Sequence, residues 1–267
     1  MTTTAATRGP VALVLHQARY DLRSFLRNRQ ARFFTLALPL LFLVIFNGVF
    51  GGGEVGPPDA RLQAKLFYVP GISAMAVIAA SFINLVISIT VLREEGVLKR
   101  RRATPVPAWA LIGGRTLMAV FVSLLSMTLL MLVGRFAYDV KLPLHAVPGV
   151  ALTAVLGSIA FCVLAYALSA FIANEDAAQP MVQAIMLPLY FISGVFIPQV
   201  TLPAWLRHVA EIFPVEHLAD GLRNGYIPGP SGTGIVWSDI GVLAIWAAVG
   251  LAIALRRFSW LPHRSRG

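Results

Sequence analysis

The chain has 267 residues, 57% of them hydrophobic and only 13% charged, with a mean hydropathy of +0.75 and a formal net charge of +10. A soluble domain carries about 25% charged residues, so half that supply cannot hydrate the surface and lipid must cover much of it. The basic residues flank apolar runs and form no stripe of their own, which argues against a nucleic-acid partner.

Residues 11–30 come first. Val11, Val14, Leu15, Ala18, Leu22, Phe25 and Leu26 recur at helical spacing, while Arg19, Arg23 and Arg27 avoid that stripe. The pattern predicts an amphipathic helix lying in the headgroup layer of a lipid bilayer. The plainer reading is a positive anchor for the span behind it. The polar, Arg-rich start and the long first apolar run leave no cleavable signal peptide to expect.

Six apolar runs follow, at 33–50, 67–92, 109–134, 148–173, 177–197 and 235–255. About 20 apolar residues cross a bilayer as a helix. The predicted fold is therefore an all-α membrane protein with six transmembrane helices in one domain. Lys and Arg number 15 on the side of the termini and the second connection, against six on the other side. That bias places both termini in the cytoplasm. Glu175 and Asp176, in a short connection without a basic residue, are the one weak vote. Three lysines among 22 basic residues suggest a GC-rich bacterial genome, hence the bacterial cytoplasmic membrane.

Some residues in and around the spans stand out. Gly51-Gly52-Gly53 ends the first span; no Lys-Ser/Thr follows to make it a phosphate loop. Ser81, Asn84 and Ser88 are expected on one face of the second span. They either hold the bundle together or face a transport path; Gln183 in the fifth span joins them as a path candidate. Arg115, about two turns into the third span, is expected to snorkel to the cytoplasmic interface. Cys162 reads as a small core residue.

The second connection is densely charged: Arg93-Glu94-Glu95-Gly96-Val97-Leu98-Lys99-Arg100. Acids precede bases, which complements a helix dipole. It is either a short helix ending before Pro105, with Val97 and Leu98 as apolar knobs, or a solvated loop that only enforces topology. In the last connection Leu202, Trp205, Leu206, Val209, Ile212 and Phe213 recur at helical spacing. A helix over 202–213, capped by Thr201 with Pro203 in its first turn, is too short to span. An external re-entrant or interfacial helix fits. Glu216, His217, Asp220 and Arg223 follow it and suit a lid or salt-bridge network.

The sequence has no Gly-x-x-x-x-Gly-Lys-Ser/Thr, no His-Glu-x-x-His and no Gly-x-Ser-x-Gly, so no catalytic residue, metal ligand or bound cofactor is expected. His208-x-x-Glu211 alone is weak. The spans also lack the buried carboxylates of an ion-driven carrier. A pump of this kind would draw its energy from a separate ATPase.

Two stretches carry a family resemblance: Arg93 to Arg101 with Thr104-Pro105, and Ser193-Gly194-Val195-Phe196-Ile197-Pro198 followed by Leu202-Pro203-Ala204-Trp205-Leu206, Phe213-Pro214 and Asp220-Gly221-Leu222-Arg223. In that order they resemble the permease subunit of type-2 ABC transporters, the group with daunorubicin-resistance-type drug efflux and polysaccharide export permeases. The resemblance implies a coupling helix at Arg93, Glu94, Glu95, Gly96, Val97, Leu98, Lys99 and Arg100 that docks on an ATPase. It implies a connecting helix bearing Arg19, Arg23 and Arg27. It also implies an outer gate near Trp205, Phe213, Glu216 and Asp220. Two ATPase subunits carrying ATP and Mg, and a second permease copy or paralogue, would complete the assembly. The cargo would be an amphipathic small molecule such as a drug, antibiotic or lipid. Lys99 departs from the family's acidic residue after the leucine. The alternatives are a polysaccharide or lipid-linked glycan export permease, a non-ABC channel or scaffold, or a membrane enzyme.

Overall fold

The computed structural model describes residues 9–56, 61–97, 100, 107–227 and 232–257. Helix α1 is Pro10–Arg27. It stops at Asn28, whose side chain accepts the Ala31 N–H at 3.0 Å and caps the next helix. Helix α2 runs Arg29–Phe50, α3 Ala64–Glu94, α4 Ala108–Tyr138 and α5 Leu144–Ser169. Helix α6 is Glu175–Ile192, α7 Ala204–Ala210, α8 Pro214–Tyr226 and α9 Trp237–Arg257. A two-residue antiparallel ribbon, β1 (Glu54–Val55) with β2 (Leu62–Gln63), bridges α2 and α3.

Five of these, α2, α3, α4, α5 and α9, are long and apolar enough to cross a membrane. Helix α6 falls short of them. It has 18 residues, with Glu175 and Asp176 in its first turn and Pro180 and Pro188 inside. The apolar run expected at 177–197 loses its last residues to a turn, where Gly194 takes a φ of +69°. The run expected to 173 also ends early, at Ser169.

Helix α3 is the core of the bundle. Every residue over 67–82 is buried, as expected of a helix that is apolar all round. It packs against α2, α4, α5, α6 and α8. Helix α5 packs against α9, α8 and α4, and α1 lies along the first turns of α4. Gly114 permits that approach: a Cβ there would meet the Gln17 Cβ at 2.6 Å. Short helix α8 is held inside the bundle by glycines. A Cβ at Gly221 would meet Thr153 at 2.7 Å, and one at Gly225 would meet Val150 at 2.1 Å.

The expected helix over 202–213 is shortened to Ala204–Ala210, and a separate helix follows it. Thr201 does not cap it: its hydroxyl donates to the Pro198 carbonyl within a 3-10 turn, and Pro203 is the N-cap of α7. The chain bends at Glu211–Phe213, and Pro214 starts α8 with its fixed φ. The Trp246 indole donates to the Ile212 carbonyl at 2.7 Å, and the Phe213 ring stacks on Trp246. Trp246 lies nine residues into α9, so the α7–α8 corner sits about 14 Å along that helix.

Candidate functional site

A cavity of ≈ 510 Å³ lies between α1, α2, α3 and α6, within the size range of small-molecule sites. Along α3 it extends from Met75 to Leu92, about 25 Å at 1.5 Å per residue. Asn84 and Ser88 line it from α3, and Gln179 and Gln183 from α6. The structure therefore brings together three of the four residues expected on a path. Ser81 is the exception. A π turn over Ala79–Ile83 widens the helix there and shifts the phase of the residues after it. Ser81 is buried, and its hydroxyl bonds back to the Val77 carbonyl at 2.6 Å. Ser88 also bonds within its helix, to Leu85, at 3.2 Å.

One end of the cavity is polar. Asp21 and Arg115 line it there, with Asn28 and Gln30. The Arg115 side chain is engaged by α1. Its guanidinium meets the Asp21 carboxylate at 3.5 Å across the α1–α4 contact, with the two side chains 12% and 2% exposed. The Gln17 amide donates to the same carboxylate at 3.1 Å. Asp21 was missed in the sequence, although it falls on the buried stripe between Ala18 and Phe25, where a lone acid is the signal. Arg19, Arg23 and Arg27 are exposed on the other side of α1.

The other end is closed by aromatic rings. Phe196 stacks on Phe46 at 5.3 Å and contacts Phe42, Tyr190 and Phe191 at 5.4, 5.8 and 5.4 Å. The turn that carries Phe196 is held by α8: Arg223 donates to the Gly194 carbonyl at 2.6 Å, lies over the Phe67 ring at 4.4 Å and pairs with Asp220. Trp205 is exposed on α7, and neither Trp205 nor Phe213 lines the cavity. Phe196 is the ring over its end, and the i, i+4, i+8 spacing of Phe42, Phe46 and Phe50 was the sequence signal for that cluster.

Glu216 and Asp220 belong to a polar network on α8. Glu216 is buried and its Oε2 has no hydrogen-bond partner among the described residues. Burial pushes its carboxyl above the usual range. His217 bonds Asp239 at 2.8 Å and the Glu211 carbonyl at 2.8 Å. The Asp239 contact raises the imidazole's affinity for a proton. Burial likewise raises Asp220, against the opposing pull of Arg223.

The residues expected at the coupling segment divide. Arg93 is 1% exposed and bonds inside the fold. Glu94, Glu95 and Arg100 are exposed, and Gly96 and Val97 half-buried. Gly96 has a φ of +69°, which ends α3. Leu98, Lys99 and residues 101–106 lie outside the described residues.

A family model for ABC-2 type transporters matches residues 14–227. The chain belongs to that family. Relatives of this ABC-2 chain include the probable multidrug ABC transporter permease YbhR of Escherichia coli (strain K12), 26% identical over 73% of this chain and 52% of the relative. The daunorubicin resistance permease DrrB1 of Streptomyces coeruleorubidus is 25% identical over 86% of this chain and 78% of its own length. The inner membrane transport permease YadH of Escherichia coli (strain K12) is 25% identical over 87% and 89%. The ABC-2 chain thus spans about half the length of YbhR and most of the other two. With its apolar helices, family membership makes it a multi-pass membrane protein.

Proposed function

We propose that this chain is the membrane half of an ATP-driven exporter that moves a drug, antibiotic or lipid-like amphipath outward by alternating access. The observation that carries this reading is the cavity of ≈ 510 Å³, with carboxamides along the middle and aromatic rings over one end. Apolar and aromatic walls with a few neutral polar groups suit amphipathic cargo. The relatives named for multidrug transport and daunorubicin resistance support the same cargo class. In this reading α6 is the fifth of six spans, α7–α8 is a re-entrant hairpin from the outer face, and both termini are cytoplasmic. A second permease copy or paralogue completes the path. Two ATPase subunits carrying ATP and Mg dock on the segment that begins at Glu95.

The test is transport in inside-out proteoliposomes containing the permease and its ATPase. Vanadate-sensitive uptake of fluorescent daunorubicin or of a fluorescent phospholipid is expected. Asn84→Leu and Gln183→Leu should each lower it severalfold. The reading is abandoned if no ATPase co-purifies, or if neither probe moves with ATP.

A further inference from the structure

The end of α3 carries two adjacent residues of opposite charge, and each is engaged with the end of a different helix. The Arg93 guanidinium donates through Nη1 to the Ser169 carbonyl at 2.7 Å and through Nη2 to the Ile172 carbonyl. Ser169 is the last residue of α5, whose final carbonyls lack partners within the helix. The Glu94 carboxylate accepts the backbone N–H of Glu175, the first residue of α6. A cation thus sits on the negative end of one helix dipole and an anion on the positive end of the next. Only residues 170–174 separate those two ends. Arg93 is buried, so its side chain offers no surface for docking.

We propose that Arg93 and Glu94 are positioning residues that lock the α5–α6 turn to the end of α3, so that both polar walls of the cavity move as one body. The proposal rests on the exporter reading above. The wall residues hang close to this joint. Gln179 and Gln183 lie four and eight residues beyond Glu175 on α6, while Ser88 and Asn84 lie six and ten residues before Glu94 on α3. At 1.5 Å per residue, all four are within about 15 Å of it along their helices. Glu95 and Gly96 follow directly, so a push on the segment beyond reaches α3 and α6 together. With one prong alone, the turn can pivot about a single contact; two prongs on opposite helix ends fix both its position and its rotation.

The experiment uses the full permease with its ATPase in nanodiscs, in a Cys162→Ser background, with nitroxide labels at Gln63→Cys, the N-cap of α3, and Asp176→Cys. Both positions are exposed. Pulsed electron–electron resonance should give one narrow distance, the same in nucleotide-free and vanadate-trapped complexes. A second label pair, Asp176→Cys with Lys141→Cys, should report a change on trapping. Glu94→Ala should broaden the first distance and abolish the trapped shift of the second. Glu94→Gln keeps a carbonyl acceptor and should restore both. Transport of daunorubicin per ATP hydrolysed should fall about tenfold in Glu94→Ala and recover in Glu94→Gln. Arg93→Gln, where it folds, should behave as Glu94→Ala. A Glu94→Ala complex with an unaltered narrow distance and a normal transport-to-ATP ratio overturns the joint alone. A wild-type complex with no trapped shift overturns the exporter reading.

Discussion

The ion pair between α1 and α4 gives the sharpest stability test. Asp21 and Arg115 meet at 3.5 Å, with side chains 2% and 12% exposed. At that separation and an effective dielectric of about 20, their Coulomb attraction is about 5 kcal/mol before desolvation is counted. Desolvation of both ions consumes much of it, so removing both partners should cost little. Removing one takes the opposite charge away from a buried ion, at about 3–5 kcal/mol. The single contact favours the lower end, about 3 kcal/mol for Arg115→Met. Asp21→Asn alone should cost less, because the carboxamide keeps an oxygen for Gln17 and Arg115 is the more exposed of the two. The assay is unfolding in mixed micelles titrated with sodium dodecyl sulfate. In the Arg115→Met background, adding Asp21→Asn should recover at least half the loss, a coupling of about 1–3 kcal/mol. If the double variant lies within about 0.5 kcal/mol of Arg115→Met, the two charges do not hold each other and the packing of α1 on α4 rests on apolar contact alone.

Three further outcomes follow from other parts of the bundle. Gly225→Ala puts a Cβ 2.1 Å from Val150; overpacking should cost about 1–3 kcal/mol, and Val150→Ala in the same chain should recover most of it, read by thermal unfolding. Phe196→Ala removes a buried ring from the cavity's aromatic end. It should cost about 3–5 kcal/mol and raise passive dye leak through reconstituted vesicles, whereas the exposed Trp205→Ala should leave both unchanged. The α8 network should weaken as pH rises. Glu216 is raised by burial, so its contribution is present below its unfolded value of about 4.3 and is lost above that, through the folded one. His217, raised through Asp239, contributes below about 6.5 and loses that as pH climbs through its folded value. The thermal midpoint should thus be lower at pH 8 than at pH 5, and Glu216→Gln should flatten the slope by relieving about 1–3 kcal/mol of unsatisfied charge.

The apolar runs were legible because a membrane helix writes its length directly into composition. Five of the six runs emerged as long apolar helices with boundaries close to those read from sequence. The basic stripe of α1 was legible for the same reason, since only one face of it meets protein. What could not be read depends on local phase and on contacts distant in sequence. No composition rule announces the π turn at Ala79–Ile83 that parts Ser81 from Asn84. Periodicity at 202–213 was real, but Pro214 set a second helix whose burial depends on Gly221 and Gly225 meeting α5. Arg93 read as a surface charge because nothing in its neighbourhood names Ser169 or Ile172, 76 and 79 positions away.

The distribution of charge also sets the joints of the bundle apart from its cavity. The four buried charged residues among those described are Asp21, Arg93, Glu216 and Asp239. The first two lie at the end where α3 meets the α5–α6 turn and α1 crosses α4. The other two lie with α8 at the opposite end. Between them, the cavity walls carry amides and hydroxyls: Asn84, Ser88, Gln179 and Gln183. Separating a buried ion pair is costly because each partner is left uncompensated. Separating neutral amides costs much less when cargo or water replaces the partner. Ionic contacts therefore suit the joints that must keep their geometry, and neutral carboxamides suit walls that bind and release a ligand. An ionic substitution in the middle, such as Asn84→Asp, should accordingly damage transport more than Asn84→Leu does, although it keeps a polar group at the same place.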